Sequence, residues 1–260
     1  MKRFQIIAII LSIIFGCSKE NLNRDFEDIP VVEGYLYAGK PLEIKVSRQV
    51  FYSNNVASSS DNLDSLFVSI FDGNMYYDLI PMGDGTFTNS NIKLSELETF
   101  ELQLDYNNLP ISTQTTIPKK PGNFVSSVSE VYVSGGNFTG NDPQELELSW
   151  DNPDGSNYFL LIENMDYSYK IYDNREVSSN NQFDLMPTQS DYYSIDTRRF
   201  LYFGSHRIIL FHINPDLAVL YQETDQTSQN ISNPPTEFEN AFGIFTGINS
   251  DTLFINVKSN

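Results

Sequence analysis

From Val31 onward, apolar and polar residues alternate with a period of two. Leu42, Ile44 and Val46 are interleaved with Glu43, Lys45 and Ser47, and Phe100, Leu102, Leu104 and Tyr106 with Glu101, Gln103 and Asp105. Successive strand side chains point to opposite faces, so this pattern predicts strands with one face in a core and the other in water. Residues 66–71 are apolar on both faces apart from Ser69, as expected of a central strand. Asp72-Gly73-Asn74 and Gly83-Asp84-Gly85 fall between such runs, and Gly, Asn and Asp tolerate the positive φ of tight turns. Residues 91–98 fit one short helical turn. The spacing as a whole predicts an all-β sandwich.

At Thr115-Thr116-Ile117-Pro118-Lys119-Lys120-Pro121-Gly122, two prolines and a glycine interrupt the pattern, since proline cannot donate to a central ladder. This break divides the chain into a first, immunoglobulin-like sandwich over 29–118 and a second over 122–260, in tandem. In the second, Glu145-Leu146-Glu147-Leu148-Ser149-Trp150 alternates, Asp151-Asn152-Pro153-Asp154-Gly155 turns, and a further strand opens at Tyr158. A tryptophan closing one strand, a Pro/Gly turn and a tyrosine opening the next resemble the second and third strands of fibronectin type III modules. One helix is expected: Asn214 can cap it, Pro215 has the φ of a first helical residue and Asp216 complements the dipole. Leu217, Leu220 and Tyr221 share its face, and its end is expected near Thr227. Strands are expected at 206–213, 242–246 and 252–257.

The N-terminus has a different character. Lys2 and Arg3 precede an apolar run over 4–15, and Gly16 precedes Cys17, the only cysteine. Twelve residues span about 18 Å as a helix, against about 30 Å of hydrocarbon, which favours a cleaved leader over a membrane-spanning helix. A cysteine directly after a small residue is the pattern of a lipoprotein signal, with the thiol as the acylation site and residues 1–16 removed; Phe15 is bulkier than the usual residue there. A plain secretory signal with an incidental thiol is the alternative. Two or three acyl chains, at ~0.8 kcal/mol per buried methylene, hold a protein stably on a membrane. Residues 17–28 then read as a polar tether. Loss of Lys2 and Arg3 takes the net charge from −18 to −20. Such a surface is repelled by nucleic acid and by anionic headgroups, so no nucleic-acid partner is expected and the lipid must do the holding.

Little catalytic chemistry is legible. A lipidated Cys17 is unavailable as a nucleophile, and neither a Gly-x-Ser-x-Gly elbow nor a Walker or Rossmann glycine pattern is present, so no cofactor is expected. His206 and His212 share a strand face about 20 Å apart at ~3.3 Å per residue, too far to chelate one ion. They read as ordinary strand histidines. Acids are too abundant for any pair to mark a glycosidase. Asp151-Asn152-Pro153-Asp154-Gly155 and Asn141-Asp142 offer oxygen ligands for calcium without the EF-hand spacing, and turn formation explains them as well. Tyr167, Tyr169, Tyr172, Tyr192 and Tyr193 lie in a polar stretch, 167–193, that reads as a long insertion into the second sandwich. Exposed rings there would stack on a sugar or a peptide; equally, aromatics suit half-buried strand edges.

Three stretches together resemble a family of Bacteroidota lipoproteins known only as a domain of unknown function and often encoded beside TonB-dependent outer-membrane transporters. They are Val31-Val32-Glu33-Gly34-Tyr35, residues 77–87 with their Gly-Asp-Gly turn, and Pro234-Pro235-Thr236 through Gly243-Ile244-Phe245-Thr246-Gly247. The resemblance implies an outer-membrane lipoprotein with an immunoglobulin-like N-terminal domain that assists nutrient uptake; it transfers no site residues. Three functions follow for testing: a non-enzymatic accessory or binding lipoprotein beside a transporter, a surface structural or adhesive protein, and a hydrolase whose acids meet only in three dimensions. The sequence leaves open which face of the outer membrane the chain occupies.

Overall fold

The computed structural model describes residues 29–48, 63–133, 145–166, 182–222 and 238–259. The leader, Cys17, the tether, Asn141-Asp142, Tyr167, Tyr169, Tyr172, Pro234-Pro235-Thr236 and the expected helix end near Thr227 lie outside them. The chain is all-β with one α-helix among the described residues.

Two sheets enclose the first core. One face comes from β1 (Pro30–Tyr37), β2 (Glu43–Arg48), β5 (Ile80–Gly83) and β6 (Thr86–Thr88); the other from β3 (Val68–Phe71), β4 (Tyr76–Asp78), β7 (Thr99–Tyr106) and β8 (Leu109–Thr116), in the order β4-β3-β7-β8. The alternation read in the sequence is the inward set: Leu42, Ile44 and Val46 from one sheet meet Phe100, Leu102, Leu104 and Tyr106 from the other, all buried. The strand expected over 66–71 is shorter, Val68–Phe71, and Phe67 turns outward. Residues 91–98 form no helix; a hydrogen-bonded turn and extended chain stand there, with Ile92 and Leu94 buried in the first core. Asp72 accepts from the backbone N–H groups of Asn74 (2.8 Å) and Met75 (2.9 Å), closing the predicted turn around Gly73 at φ +90°. Those two bonds hold its carboxyl below the ordinary value.

The second core lies between a three-stranded sheet and the far half of a long one. The small sheet has β9 (Gly122–Ser126), β11 (Glu145–Asp151) and β14 (Tyr192–Asp196), in the order β14-β11-β9. The long sheet continues through β12 (Asn157–Asn164), β13 (Gln182–Thr188), β15 (Gly204–Ile213) and β16 (Phe242–Ser259), with β10 (Glu130–Val133) parallel to the end of β16. The two strands compared with a fibronectin module are therefore on opposite sheets, and Trp150 is buried between Phe124 and Tyr158, with ring centroids 6.4 and 5.6 Å away.

One strand joins the two sandwiches. The sequence suggests separate strands at 242–246 and 252–257; instead β16 runs unbroken for 18 residues. Its first seven residues pair in parallel with β1, from Val31↔Phe242 to Tyr37↔Ile248, and its remainder pairs antiparallel with β15, from Ile213↔Ile248 to Gly204↔Val257. Ala241 and Phe245 belong to the first core, Ile255 and Val257 to the second. The division of the chain at 118–122 thus separates the strands before it from those after it, except that β16 returns to complete the first sandwich.

Two glycines of this strand make the join possible. Gly243 has φ +122°, and a Cβ there would lie 1.9 Å from the Val32 carbonyl oxygen. A Cβ on Gly247 would lie 2.4 Å from the Thr116 carbonyl oxygen, so the linker passes directly over it. The helix α1 (Pro215–Gln222) caps the outer face of the long sheet, burying Leu217 and Ala218 against Phe159, Ile213, Ile244 and Ile248. Tyr221 packs 4.7 Å from Phe159, whereas Leu220, expected on the same face, is turned to solvent. A stripe of 217, 218 and 221 fits a helix lying on a sheet through one narrow line of contact.

Candidate functional site

Around the join, polar side chains from four segments lock the linker to β16. Thr115 Oγ1 accepts from the Gly247 N–H (3.0 Å) and from Asn214 Nδ2 (3.1 Å), and Asn214 Nδ2 also donates to the Thr116 carbonyl (3.0 Å). Asn249 Nδ2 donates to the Pro118 carbonyl (3.0 Å), and His212 Nδ1 lies 2.7 Å from the Lys119 carbonyl. An ion pair between Lys120 and Asp251 (3.0 Å) closes the rim. The buried Pro118 carbonyl would otherwise be an unpaired acceptor against a sheet, which costs free energy comparable to a lost hydrogen bond, whereas the Thr116 and Lys119 carbonyls are also open to water.

Beside this lock an open groove of about 530 Å³ is lined by Thr99, Gln114, Thr115, Thr116, Asn214, Pro215 and Asp216. Its groups are already engaged with one another: Thr99 and Thr116 hydroxyls are 2.8 Å apart, and Thr246 Oγ1 donates to Asp216 Oδ1 at 3.1 Å. The groove therefore offers hydroxyls, amides and one carboxylate, without a cation. Asn214 accepts from the Ala218 N–H at its backbone carbonyl, starting the helix as expected, while its side chain serves the linker. Nothing in the sequence pointed to this groove, because its residues come from the β7-β8 hairpin and the start of α1, about a hundred positions apart along the chain.

The two histidines are placed structurally. His206 is 2% exposed, its Nδ1 lies 3.1 Å from the Gly204 carbonyl, and Phe200 meets the ring edge-on at 5.1 Å. His212 stacks on Tyr158 at 4.7 Å. Burial lowers the pKa of both, opposed in each by a backbone carbonyl that accepts from the ring. Among the described residues no group of three or more His, Cys, Asp or Glu side chains is placed to hold a metal. The candidate calcium turn is held internally: Asn152 Oδ1 accepts from the Ser156 N–H at 2.8 Å, and Asp151 Oδ2 accepts from Asn123 Nδ2 at 2.6 Å.

Of the five candidate tyrosines, the two described ones do not converge. Tyr192 and Tyr193 are neighbours on β14 and so face opposite ways: Tyr193 lies against the second core, while Tyr192 is 64% exposed. Tyr192 sits in register with Ser149, which is in turn opposite Val125, on an outer face that also carries Glu145, Glu147 and Asp151. The period-two rule applied to the pair alone would have separated them.

The family model described as "Domain of unknown function (DUF4249)" matches residues 19–253. This chain belongs to that family. The DUF4249 match begins just after Cys17 and takes in both sandwiches and most of β16, so the family's common body is the two-core unit, not either sandwich alone. No curated protein matches the chain in sequence. Among solved structures, the crystal structure of chicken CNTN1 FN1–FN3 domains aligns with 88% of this chain at 7% identity and a TM-score of 0.22. The chain spans 66% of that structure's length, just under two thirds. At that TM-score the likeness carries no argument, and the sandwich fold rests on the strand pairing itself. Among the described residues, no helix is long and apolar enough to cross a membrane.

Proposed function

We propose that this DUF4249 chain is a lipid-anchored, non-enzymatic accessory or binding lipoprotein of the outer membrane, acting beside a TonB-dependent nutrient transporter. The leader ending at Gly16-Cys17 and the polar tether support the anchor. The observation that carries the reading is β16. The tether enters at Pro30, beside the Val31↔Phe242 pair, and β16 runs from there through the join to Ser259 at the far end of the second sandwich. At ~3.3 Å per residue its 18 residues extend about 59 Å. A protein so built holds its second sandwich away from its anchor as one unit, which suits reaching a neighbouring membrane protein. The outer face of the small sheet that carries Tyr192 is the contact surface we assign; the rest of the expected insertion that is described, 182–188, is instead β13, paired with β12 in the long sheet.

Two measurements test this. Cys17→Ala should move the protein from the membrane fraction to the soluble one; a variant that stays with the membrane contradicts the anchor. Tagged lipoprotein solubilised in mild detergent should bring a TonB-dependent transporter with it, and repeated recovery of the protein alone contradicts the partnership.

A further inference from the structure

The first sandwich has two ends. One abuts the join, where Thr99, Thr116 and Tyr37 lie; the other is where the tether arrives. Strand register gathers several turns at the tether end. Pro30 is opposite Arg48, and the Val46 N–H donates to the Gly85 carbonyl (2.8 Å), so the Gly83-Asp84-Gly85 turn is there. Asp64 accepts from the Gly85 N–H (2.7 Å), which brings the 63–67 segment to the same place. The Arg48 guanidinium lies 6.0 Å from the Tyr106 ring, and Asn240 Nδ2 donates to the Pro110 carbonyl (3.0 Å), which sets the Asn107-Asn108 turn beside them.

These turns carry large apolar side chains in water. Phe67 is 65% exposed, Met82 67% and Leu109 41%. Exposed apolar residues also stand toward the opposite end, where Met75, Tyr76, Ile80 and Leu97 are 55–66% exposed, so it is the arrival of the tether, and not apolar exposure alone, that singles out this end. Twelve residues, 18–29, separate Cys17 from Pro30. A chain of that length reaches at most about 43 Å even when fully extended, so a lipid at Cys17 keeps this end near the bilayer.

We infer that the tether end of the first sandwich rests in the bilayer, with Phe67, Met82 and Leu109 inserted at the headgroup level; the inference rests on the lipid anchor at Cys17. Aromatic and long apolar side chains gain most from that zone. Exposed Asp84, Asp105 and Glu239 occupy the same end, and Lys45 donates to the Asp84 carbonyl and to Thr86 instead of facing outward freely. The surface therefore favours zwitterionic headgroups over anionic ones.

The lipoprotein itself provides the test, because acylation of Cys17 leaves an introduced cysteine as the sole thiol. Phe67→Cys, Met82→Cys and Leu109→Cys, with Met186→Cys and Phe254→Cys as exposed controls on the second sandwich, are labelled with an NBD fluorophore and reconstituted into phosphatidylcholine vesicles containing nitroxide-labelled lipid. The three tip labels should blue-shift and lose at least half their emission to the nitroxide, the two controls neither, and replacing a third of the lipid with phosphatidylglycerol should lessen the quenching. Co-flotation with vesicles without quenching at the tip overturns this inference and leaves the anchor standing. Failure to co-float, with Cys17 itself taking the label, overturns both. Quenching that rises with phosphatidylglycerol overturns the stated lipid preference.

Discussion

Gly247→Ala is the sharpest perturbation of the join. Gly247 does not have a positive φ, so alanine is not strained by its backbone there, and without a neighbour it would gain about 0.4–1 kcal/mol from the stiffer unfolded chain. The neighbour decides the sign. Its Cβ would lie 2.4 Å from the Thr116 carbonyl oxygen and 2.6 Å from the Ile117 Cα, both backbone atoms that cannot swing aside. Restoring an ordinary contact near 3.5 Å moves the linker by about 1 Å. That stretches the 3.0 Å bond from the Gly247 N–H to Thr115 beyond hydrogen-bonding range. Overpacking costs about 1–3 kcal/mol and a buried unpaired N–H another 1–3, against the 0.4–1 gained from the stiffer unfolded chain, so the variant should lose about 1–5.5 kcal/mol. Urea unfolding of the released Cys17→Ala chain measures this, with Thr115→Val as the companion that removes the acceptor without the clash and should cost about 1–3 kcal/mol. A Gly247→Ala protein as stable as its parent, or more so, would refute the close approach.

Gly243→Ala should be worse still, because a positive φ and a carbonyl 1.9 Å away act together; loss of the first sandwich's near-ultraviolet dichroism is expected. Acid should destabilise the fold through His206. Burial lowers its folded pKa below the unfolded 6.5. The unfolded chain therefore binds more protons as pH falls through 6.5, and stability declines until the folded pKa is passed. His206→Gln should flatten that stretch of the stability–pH curve, and an unchanged slope would deny the role. Tyr192→Ala should leave stability within about 0.5 kcal/mol, as exposed positions do, so any loss of partner recovered in pull-downs reports contact rather than unfolding.

The sandwich character of the chain was readable because burial enforces a period of two: Leu42, Ile44, Val46 and Phe100, Leu102, Leu104 face inward as their spacing demands. What escaped was anything set by distant partners. Gly247, Asn249, Ser250 and Asp251 look like a turn between two strands, yet β15 and β1 supply their backbone partners and the linker takes up the Asn249 amide, so the polar run stays extended. The helical spacing of Leu217, Leu220 and Tyr221 was correct in period but not in phase, since Ala218 replaces Leu220 at the sheet. Hydrophobicity alone places Phe67 in a central strand, and it cannot distinguish a core residue from an exposed one. The polar groove at the join had no local signature at all.

The central claim is that one shared strand makes the two sandwiches a single arm. Pulsed dipolar spectroscopy on the Cys17→Ala chain tests it, with spin labels at Tyr76→Cys on the first sandwich and Met186→Cys on the second, both exposed strand positions. A continuous β16 predicts one narrow distance distribution, unchanged between low and high salt. A broad or two-peaked distribution would mean that the join bends and that the arm does not act as one body.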